Sequence, residues 1–187
     1  EFASEGADWV LQLDTDEFLP KPEALFQAIE RAEALGLDAV EMPMRVLYRA
    51  LDNDRALEVC SYDGFDHFEY IAPSVVRAGS RLLHSRQTRG RLLRAVVAGD
   101  SRSIQLRRPP ESGEVREALL GPEDAVIHNS WARPPLELVR KLASWSHNSL
   151  RAWRHFLFHW MPAPLLWRYQ RNLHPFFGPV WPALRIC

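Results

Sequence analysis

The chain has 187 residues, 47% of them hydrophobic and 25% charged, which suits a globular domain with a real core and excludes a disordered chain. The net charge of -1 hides an asymmetry, because residues 1–70 hold 17 acidic and 5 basic side chains whereas residues 71–187 hold 7 and 18. With only two cysteines, far apart, a disulfide framework and a cysteine zinc site are excluded and a reducing, cytoplasmic location is favoured.

The first elements alternate between strand and helix. An apolar run at residues 9–13 predicts a buried strand that ends where carboxylates begin. Helical spacing of apolar residues predicts a helix over 22–35, with Pro22 in its first turn and Gly36 as its stop. Residues 38–48 then predict a second strand, in which Pro43 indicates an edge or a bulge. This order is typical of an α/β domain.

The rest of the chain is less regular. Residues 50–75 predict a loop-rich segment, 74–84 one or two strands, and 107–114 a turn-rich interruption. A short strand at 125–127 delivers His128 at its end, and a long helix is expected from Pro134 until Pro162 stops it. The Pro-rich and aromatic tail that follows is expected to pack irregularly. The longest apolar run of the chain, 156–167, falls short of the ~20 residues of a spanning helix but leaves peripheral contact with a membrane possible.

The segment after the first strand carries the strongest chemical signal. Asp14 and Asp16 are separated by one residue, and Glu17 follows directly. Carboxylates this close repel one another unless a cation, protons or water compensate. Two of them can bind one hard divalent cation such as Mg²⁺ or Mn²⁺, which prefers oxygen ligands. The alternative is a solvated acidic turn before the helix that begins at Pro22.

Two segments together resemble a known family. "ADWVLQLDTDEFL", followed by a helix and "LDAVEMPMRVLY", and the later "AVIHNSWARPPLELVRKLASWSHN" are similar to the glycosyltransferase family 2-like group of the GT-A fold. The resemblance implies a partial, Rossmann-like GT-A mixed sheet and metal-dependent transfer of a sugar from a nucleotide-sugar donor to a glycan, lipid-linked or other acceptor. It makes Asp14 and Asp16 the metal and diphosphate ligands, Glu17 a supporting residue and His128 a further metal ligand.

The resemblance also implies roles for the later segment. Trp145 and His147 belong to its Lys-x-x-x-Trp-x-His pattern and are expected to line the substrate site. Arg133, Arg140 and Lys141 are cations that could reach the donor phosphates, although for each of them a solvated helix face is the favoured explanation. In this family a βαβ unit that holds the nucleoside precedes the Asp-x-Asp strand, and only eight residues precede Trp9 here. We therefore expect residues 1–130 to be the carboxyl-terminal part of a catalytic domain and 131–187 a helical, aromatic-rich extension.

Other assignments stay open at this point. An inverting transferase needs a carboxylate base, for which the candidates are Asp63, Asp66 and Glu69, with neighbouring aromatic residues available to stack on a sugar. A strand ending in Asp-x-Asp also marks haloacid-dehalogenase-like phosphatases, although Phe18 stands where that motif has Thr or Val. A third hypothesis is a non-catalytic module that binds a membrane surface. His155 and His159 have the spacing of a zinc pair without a third ligand, and no nucleic-acid motif is present.

Overall fold

The computed structural model describes residues 6–52, 54–71, 74–84, 86–88, 90–144 and 149–187. It confirms a mixed α/β architecture. The contacts divide the chain into two compact units, the first formed by Glu1–Met44 and Glu69–Ile127 and the second by Arg45–Phe68 and His128–Cys187. Residues 45–68 thus group with the carboxyl-terminal segment. The division expected from the sequence, at residue 130, places them with the first part of the chain instead.

The elements follow one another closely along the chain. The strands are β1 (Trp9–Leu11), β2 (Glu17–Phe18), β3 (Ala39–Glu41), β4 (Met44–Ala50), β5 (Ala56–Cys60), β6 (Val75–Arg77), β7 (Leu82–His84), β8 (Gln87–Thr88), β9 (Leu92–Val97), β10 (Glu114–Leu120), β11 (Val126–His128) and β12 (Ala183–Ile186). The α-helices are α1 (Pro22–Ala34), α2 (Pro135–Ser144), α3 (Leu150–His155) and α4 (Ala163–Leu166). A π-helix covers Phe156–Trp160, and 3₁₀ turns cover Pro122–Asp124 and Gly178–Val180.

The first unit is built on a five-stranded mixed sheet with the order β1-β6-β3-β9-β10. Strand β6 is antiparallel to both β1 and β3, and β3, β9 and β10 are mutually parallel. Four strands therefore run in one direction and end at the same edge of the sheet. That carboxyl edge is where α/β sheets bind their ligands.

Helix α1 matches its prediction within one residue. Pro22 occupies its first turn, and its buried face consists of Ala24, Leu25, Ala28 and Ala32, small enough for close packing on the sheet. The helix ends at Ala34 and is followed by Gly36, whose φ of +64° lies in the left-handed region that glycine adopts without strain.

The predicted strand over 38–48 is wrong in one respect, because the structure divides it into β3 and β4. Pro43 lies between them and has no N–H to donate to a ladder, so pairing cannot continue through it. Its carbonyl instead accepts a hydrogen bond of 2.9 Å from the N–H of Val126 at the start of β11. The proline that indicated an edge or a bulge is the point at which the chain leaves the first sheet.

The second unit contains an antiparallel ladder of β12, β5 and β4. Its core is aromatic and aliphatic, with Val46, Tyr48, Leu57, Val59, Trp131, Leu138, Leu142, Ala152, Phe156, Trp160, Ala163, Leu173, Trp181 and Leu184 buried together. The prediction of a loop over 50–75 is therefore wrong for β5. Buried Glu58 interrupts the apolar pattern of that strand, and it is stabilised there by Arg45 at 2.5 Å and Arg185 at 3.0 Å.

The long helix predicted from Pro134 is also corrected. Helix α2 ends at Ser144, and Ser149, in extended conformation, caps a separate helix α3 by accepting a hydrogen bond of 3.3 Å from the N–H of Ala152. The tail is more regular than expected, because it ends in β12, which pairs with β5. None of the described helices is long and apolar enough to cross a membrane.

Candidate functional site

Residues 14–17, here called the acidic turn, are separated from β1 by Gln12 and Leu13 and lie at the carboxyl edge of the first sheet. The turn is closed by two hydrogen bonds, since the N–H of Glu17 donates to the carbonyl of Asp14 at 3.0 Å and the N–H of Asp14 donates to Glu17 Oε2 at 3.1 Å. Gln12 still donates to the carbonyl of Ser74 at 2.9 Å, which prolongs the β1–β6 contact up to the turn. The sheet thus fixes where the carboxylates lie.

Glu17 holds the turn to the body of the first unit. Its side chain is buried and accepts two hydrogen bonds from the guanidinium of Arg86, at 2.8 and 2.6 Å. Arg86 is buried as well and also donates to the carbonyl of Gln12 at 3.2 Å. Paired, two-pronged arginine–carboxylate bonds restrict both partners in distance and angle. Glu17 is therefore a structural support for the turn.

Arg86 also explains how three carboxylates can lie so close together. Burial alone would lower its pKa, but the hydrogen bonds and charge of Glu17, followed by the charges of Asp14 and Asp16, outweigh burial and leave the pKa raised. The guanidinium therefore stays charged, 3.8 Å from the carboxylate of Asp14. Arg86 is thus a cation that faces all three carboxylates of the turn.

Two other acidic side chains at this edge are bound to neighbouring groups of the first unit. Glu41, at the end of β3, is buried and bound to Arg94. Asp100, after β9, accepts hydrogen bonds from the hydroxyl of Tyr70 at 3.1 Å and from the N–H of Arg102 at 3.0 Å. Asp14, by contrast, has a side chain 59% exposed, and Asp16 is half-buried. The acidic turn therefore presents carboxylates to solvent at this edge, as does Glu123 after β10, whose side chain is 62% exposed.

The acidic turn has the donor chemistry of a divalent-cation site. Carboxylate oxygens are the ligands that Mg²⁺ and Mn²⁺ prefer, and such ions commonly bind through one or two carboxylates and complete their shell with water or phosphate oxygens. In the described part of the chain, no group of three or more His, Cys, Asp or Glu side chains is arranged to hold a metal. The turn offers two ligands, and the predicted third, His128, belongs to the second unit.

The predicted phosphate-binding residues also belong to the second unit. Lys141 donates from its ammonium group to the carbonyl and hydroxyl oxygens of Ser130, at 3.0 and 2.9 Å, which ties α2 to the segment after β11. Arg133 lies in that segment and is half-buried. Trp145 and His147 lie outside the described residues. The structure therefore gives Lys141 a structural contact and leaves its phosphate-binding role a prediction.

The three candidate bases have different surroundings. In the second unit, Asp63 accepts a hydrogen bond from Ser61, and Asp66 accepts one from Arg185. Glu69 is buried in the first unit, where its backbone pairs with that of Met44. Of the aromatic residues expected to stack on a sugar, Tyr62 and Phe65 are exposed, but Phe68 is buried, so the expectation is wrong for Phe68.

The histidines of the carboxyl-terminal helix form part of a packed cluster. His155 is buried and shares a hydrogen bond of 3.0 Å with the hydroxyl of Tyr48, and its ring stacks on that of His159 at 5.3 Å. Burial lowers the pKa of His155 to about 3, with His159 and His174 contributing in the same direction. Because Nε2 of His155 is engaged by Tyr48, the contacts favour a packing role over the zinc pair.

Comparison with known proteins adds no assignment, because no family model, curated protein or solved structure matches the chain. What the structure defines is the class, a mixed α/β protein with an acidic turn at the carboxyl edge of one sheet. The resemblance to glycosyltransferases rests on the residues of the sequence alone.

Arg86 is the residue of the site that the sequence does not reveal. It follows Glu17 by 69 positions, in the turn between β7 and β8. Neither spacing nor motif connects the two residues. The available signal is physical: three adjacent carboxylates require a nearby cation, and the following segment is rich in arginine. That argument predicts a partner but does not select which arginine it is.

Proposed function

We propose that the chain is, or belongs to, a metal-dependent glycosyltransferase that uses Mn²⁺ or Mg²⁺ and a nucleotide-sugar donor to modify a glycan, lipid-linked or other acceptor. The observation that carries the proposal is the acidic turn: an exposed Asp14 and a half-buried Asp16 at the carboxyl edge of an α/β sheet, held by a buried Glu17–Arg86 pair. The family resemblance of the same residues supports it.

The proposed chemistry follows from charge. Glycosyl transfer from a nucleoside diphosphate releases a diphosphate whose negative charge must be offset as the bond breaks. A divalent cation supplies that charge as a Lewis acid when it is bound. In the proposal, Asp14 and Asp16 hold the cation through their carboxylate oxygens, and a carboxylate base takes the proton of the acceptor hydroxyl.

Glu17 and Arg86 serve this function by positioning. A metal site works best when its ligands already have their bound geometry, because ordering them on binding costs affinity. The two hydrogen bonds inside the turn and the pair with Arg86 restrict the backbone that carries Asp14 and Asp16. The carboxylate groups of Asp14 and Asp16 favour a cation over other ligands.

The proposal is tested by transfer or hydrolysis of a panel of nucleotide sugars with Mn²⁺ present. Replacing the metal ligand in Asp16→Asn should reduce turnover roughly a hundredfold or more, because the carboxylate charge is lost with little change in shape. Glu30→Gln, an exposed carboxylate on α1, is the matched control and should keep full activity.

Two results would count against this assignment. The first is metal-dependent turnover that persists in Asp16→Asn. The second is hydrolysis of p-nitrophenyl phosphate that disappears in Asp14→Asn while nucleotide sugars stay intact, which would point to a phosphatase with Asp14 as its nucleophile.

A further inference from the structure

The carboxyl-terminal part of the second unit has an unusual charge composition. After Glu137 the chain contains no Asp or Glu, while residues 138–187 include seven Lys and Arg side chains. Within a chain whose net charge is only -1, this concentrates cations in one segment that has no acidic side chain of its own, and among them Arg185 pairs with Glu58 and Asp66 from the preceding strand and loop. Such a segment attracts anionic surfaces.

The same segment exposes apolar side chains on one side of a helix. Helix α3 and the π-helix after it bury Ala152, His155, Phe156 and Trp160. The opposite side would ordinarily be polar. It carries instead the exposed residues Leu150, Leu157, Phe158 and Met161, and the exposed Leu165 and Leu166 follow on α4; we call these six residues the outer apolar face.

The extent of exposure is large for residues of this type. Leu150 is 77% exposed, Phe158 68% and Leu165 86%. Isolated exposed leucines are common on protein surfaces, but several at helical spacing form a patch that marks an interaction site. The helix is therefore apolar towards the core and also exposes several apolar side chains to solvent.

A cleft of about 670 Å³ adjoins this face. Leu150 and Phe158 contribute to its wall together with Arg151, Arg154 and His159. Both arginines are exposed and lie on the helix that carries the apolar residues. Cations set beside exposed apolar side chains match the boundary of a bilayer, where phosphate headgroups lie above acyl chains.

We propose that the outer apolar face docks on an anionic lipid bilayer, with Leu157, Phe158 and Leu165 entering the acyl boundary while Arg151 and Arg154 bind headgroup phosphates. Charge selects this occupant: a protein groove would need acidic residues to match these arginines, whereas an anionic bilayer supplies both the phosphates and the apolar layer. The proposal concerns contact with the surface of a membrane and does not depend on the acidic turn.

Vesicle flotation tests the proposal with the full chain. The probes are vesicles of phosphatidylcholine alone and vesicles in which half of the lipid is phosphatidylglycerol. The chain should float with the anionic vesicles, poorly with the neutral ones, and less at high salt. Leu165→Glu should weaken binding about tenfold or more, whereas Leu136→Glu, at a residue 74% exposed on α2, should not.

A matched pair of double variants tests how much the arginine charges contribute to vesicle binding. Arg151→Gln/Arg154→Gln should weaken binding roughly thirtyfold, since each cation near an anionic surface contributes about a fivefold factor. Arg107→Gln/Arg108→Gln removes the same charge from exposed positions in the first unit and should leave binding nearly unchanged. Near-native circular dichroism of each variant establishes that the fold is intact.

Three results would overturn the proposal. One is absence of flotation, or flotation that the Leu165 and arginine variants do not reduce. Another is equal binding to neutral vesicles. The third is a concentration-dependent dimer that Leu165→Glu abolishes in a chain that does not float, because a second copy would then be the occupant of the face.

Discussion

At the scale of single residues, the acidic turn depends on a buried ion pair. Glu17 and Arg86 are both removed from solvent, and each is the main partner of the other. Breaking a buried pair is costly because the remaining charge stays in the interior without compensation. The contribution of Arg86 to stability should therefore exceed that of any arginine at the surface.

The variant Arg86→Gln tests this difference. It should lower the free energy of unfolding of the first unit by about 3 kcal/mol or more, measured by hydrogen exchange of the β1 and β6 amides. Arg31→Gln is the control, since Arg31 also donates two hydrogen bonds to a glutamate, at 2.6 and 2.7 Å, but at the surface. It should change protection far less, and equal losses in the two variants would contradict the assigned role of Arg86.

The sequence predicts the acidic residues of the site but not their partner. Asp14 and Asp16 stand out because a strand ends directly before them. Arg86 is one of many arginines in the second part of the chain, and its role depends on how β7 and β8 place it. The sequence likewise does not predict the partners of Glu58. Its position suggests a loop, and only the structure shows that Arg45 and Arg185 stabilise it within a strand.

At the scale of elements, the sequence patterns that predicted an element correctly lie within a short stretch of the chain. Helix α1 has a proline start, an apolar period and a glycine stop, all within 15 residues. The prediction of one long helix after Pro134 failed because apolar residues recur at helical spacing on both sides of Ser149. The periodicity alone therefore does not indicate that a new helix begins there. Ser149 itself carries the signal, as serine is a preferred first residue of a helix.

The variant Ser149→Ala tests whether this cap defines α3. Loss of the hydrogen bond from the N–H of Ala152 should lower the free energy of unfolding by about 1 kcal/mol. Urea unfolding followed by tryptophan fluorescence measures it, because six of the seven Trp residues lie after residue 130. Ser144→Ala is the control: its hydroxyl donates back to the carbonyl of Arg140 within α2, and its removal should have little effect. Similar losses in both variants would argue against a separate α3.

At the scale of the whole molecule, the chain combines an acidic turn in one unit with a cationic, apolar segment in the other. The second unit also buries neutral histidines. Burial lowers the pKa of His174 to about 4, with the charge of Arg151 acting in the same direction, and that of His155 to about 3. Both values lie below the ordinary 6.5, so the unfolded chain binds these protons at a higher pH than the folded one.

Stability of the second unit should therefore fall in mild acid. A depressed histidine pKa stabilises the fold above about pH 6.5, and this contribution is lost as the pH falls towards the folded values. Each histidine contributes up to about 1.4 kcal/mol per pH unit between these limits. Urea unfolding at several pH values between 7 and 4.5 measures the slope of the free energy of unfolding against pH.

The variant His155→Gln should reduce that slope by about 1.4 kcal/mol per pH unit. His159→Gln should reduce it less, because His159 is exposed and only adds to the effect of burial on His155. An unchanged slope in His155→Gln would show that His155 is not held neutral by burial.

The central claim is that Asp14 and Asp16 bind a divalent cation. Paramagnetic broadening by Mn²⁺ tests it most directly, because broadening falls steeply with distance from the ion. At substoichiometric Mn²⁺, the amide signals of residues 14–17 should broaden first, and Asp16→Asn should remove the effect while Glu30→Gln keeps it. Uniform broadening, or broadening centred on residues away from the acidic turn, would contradict the claim.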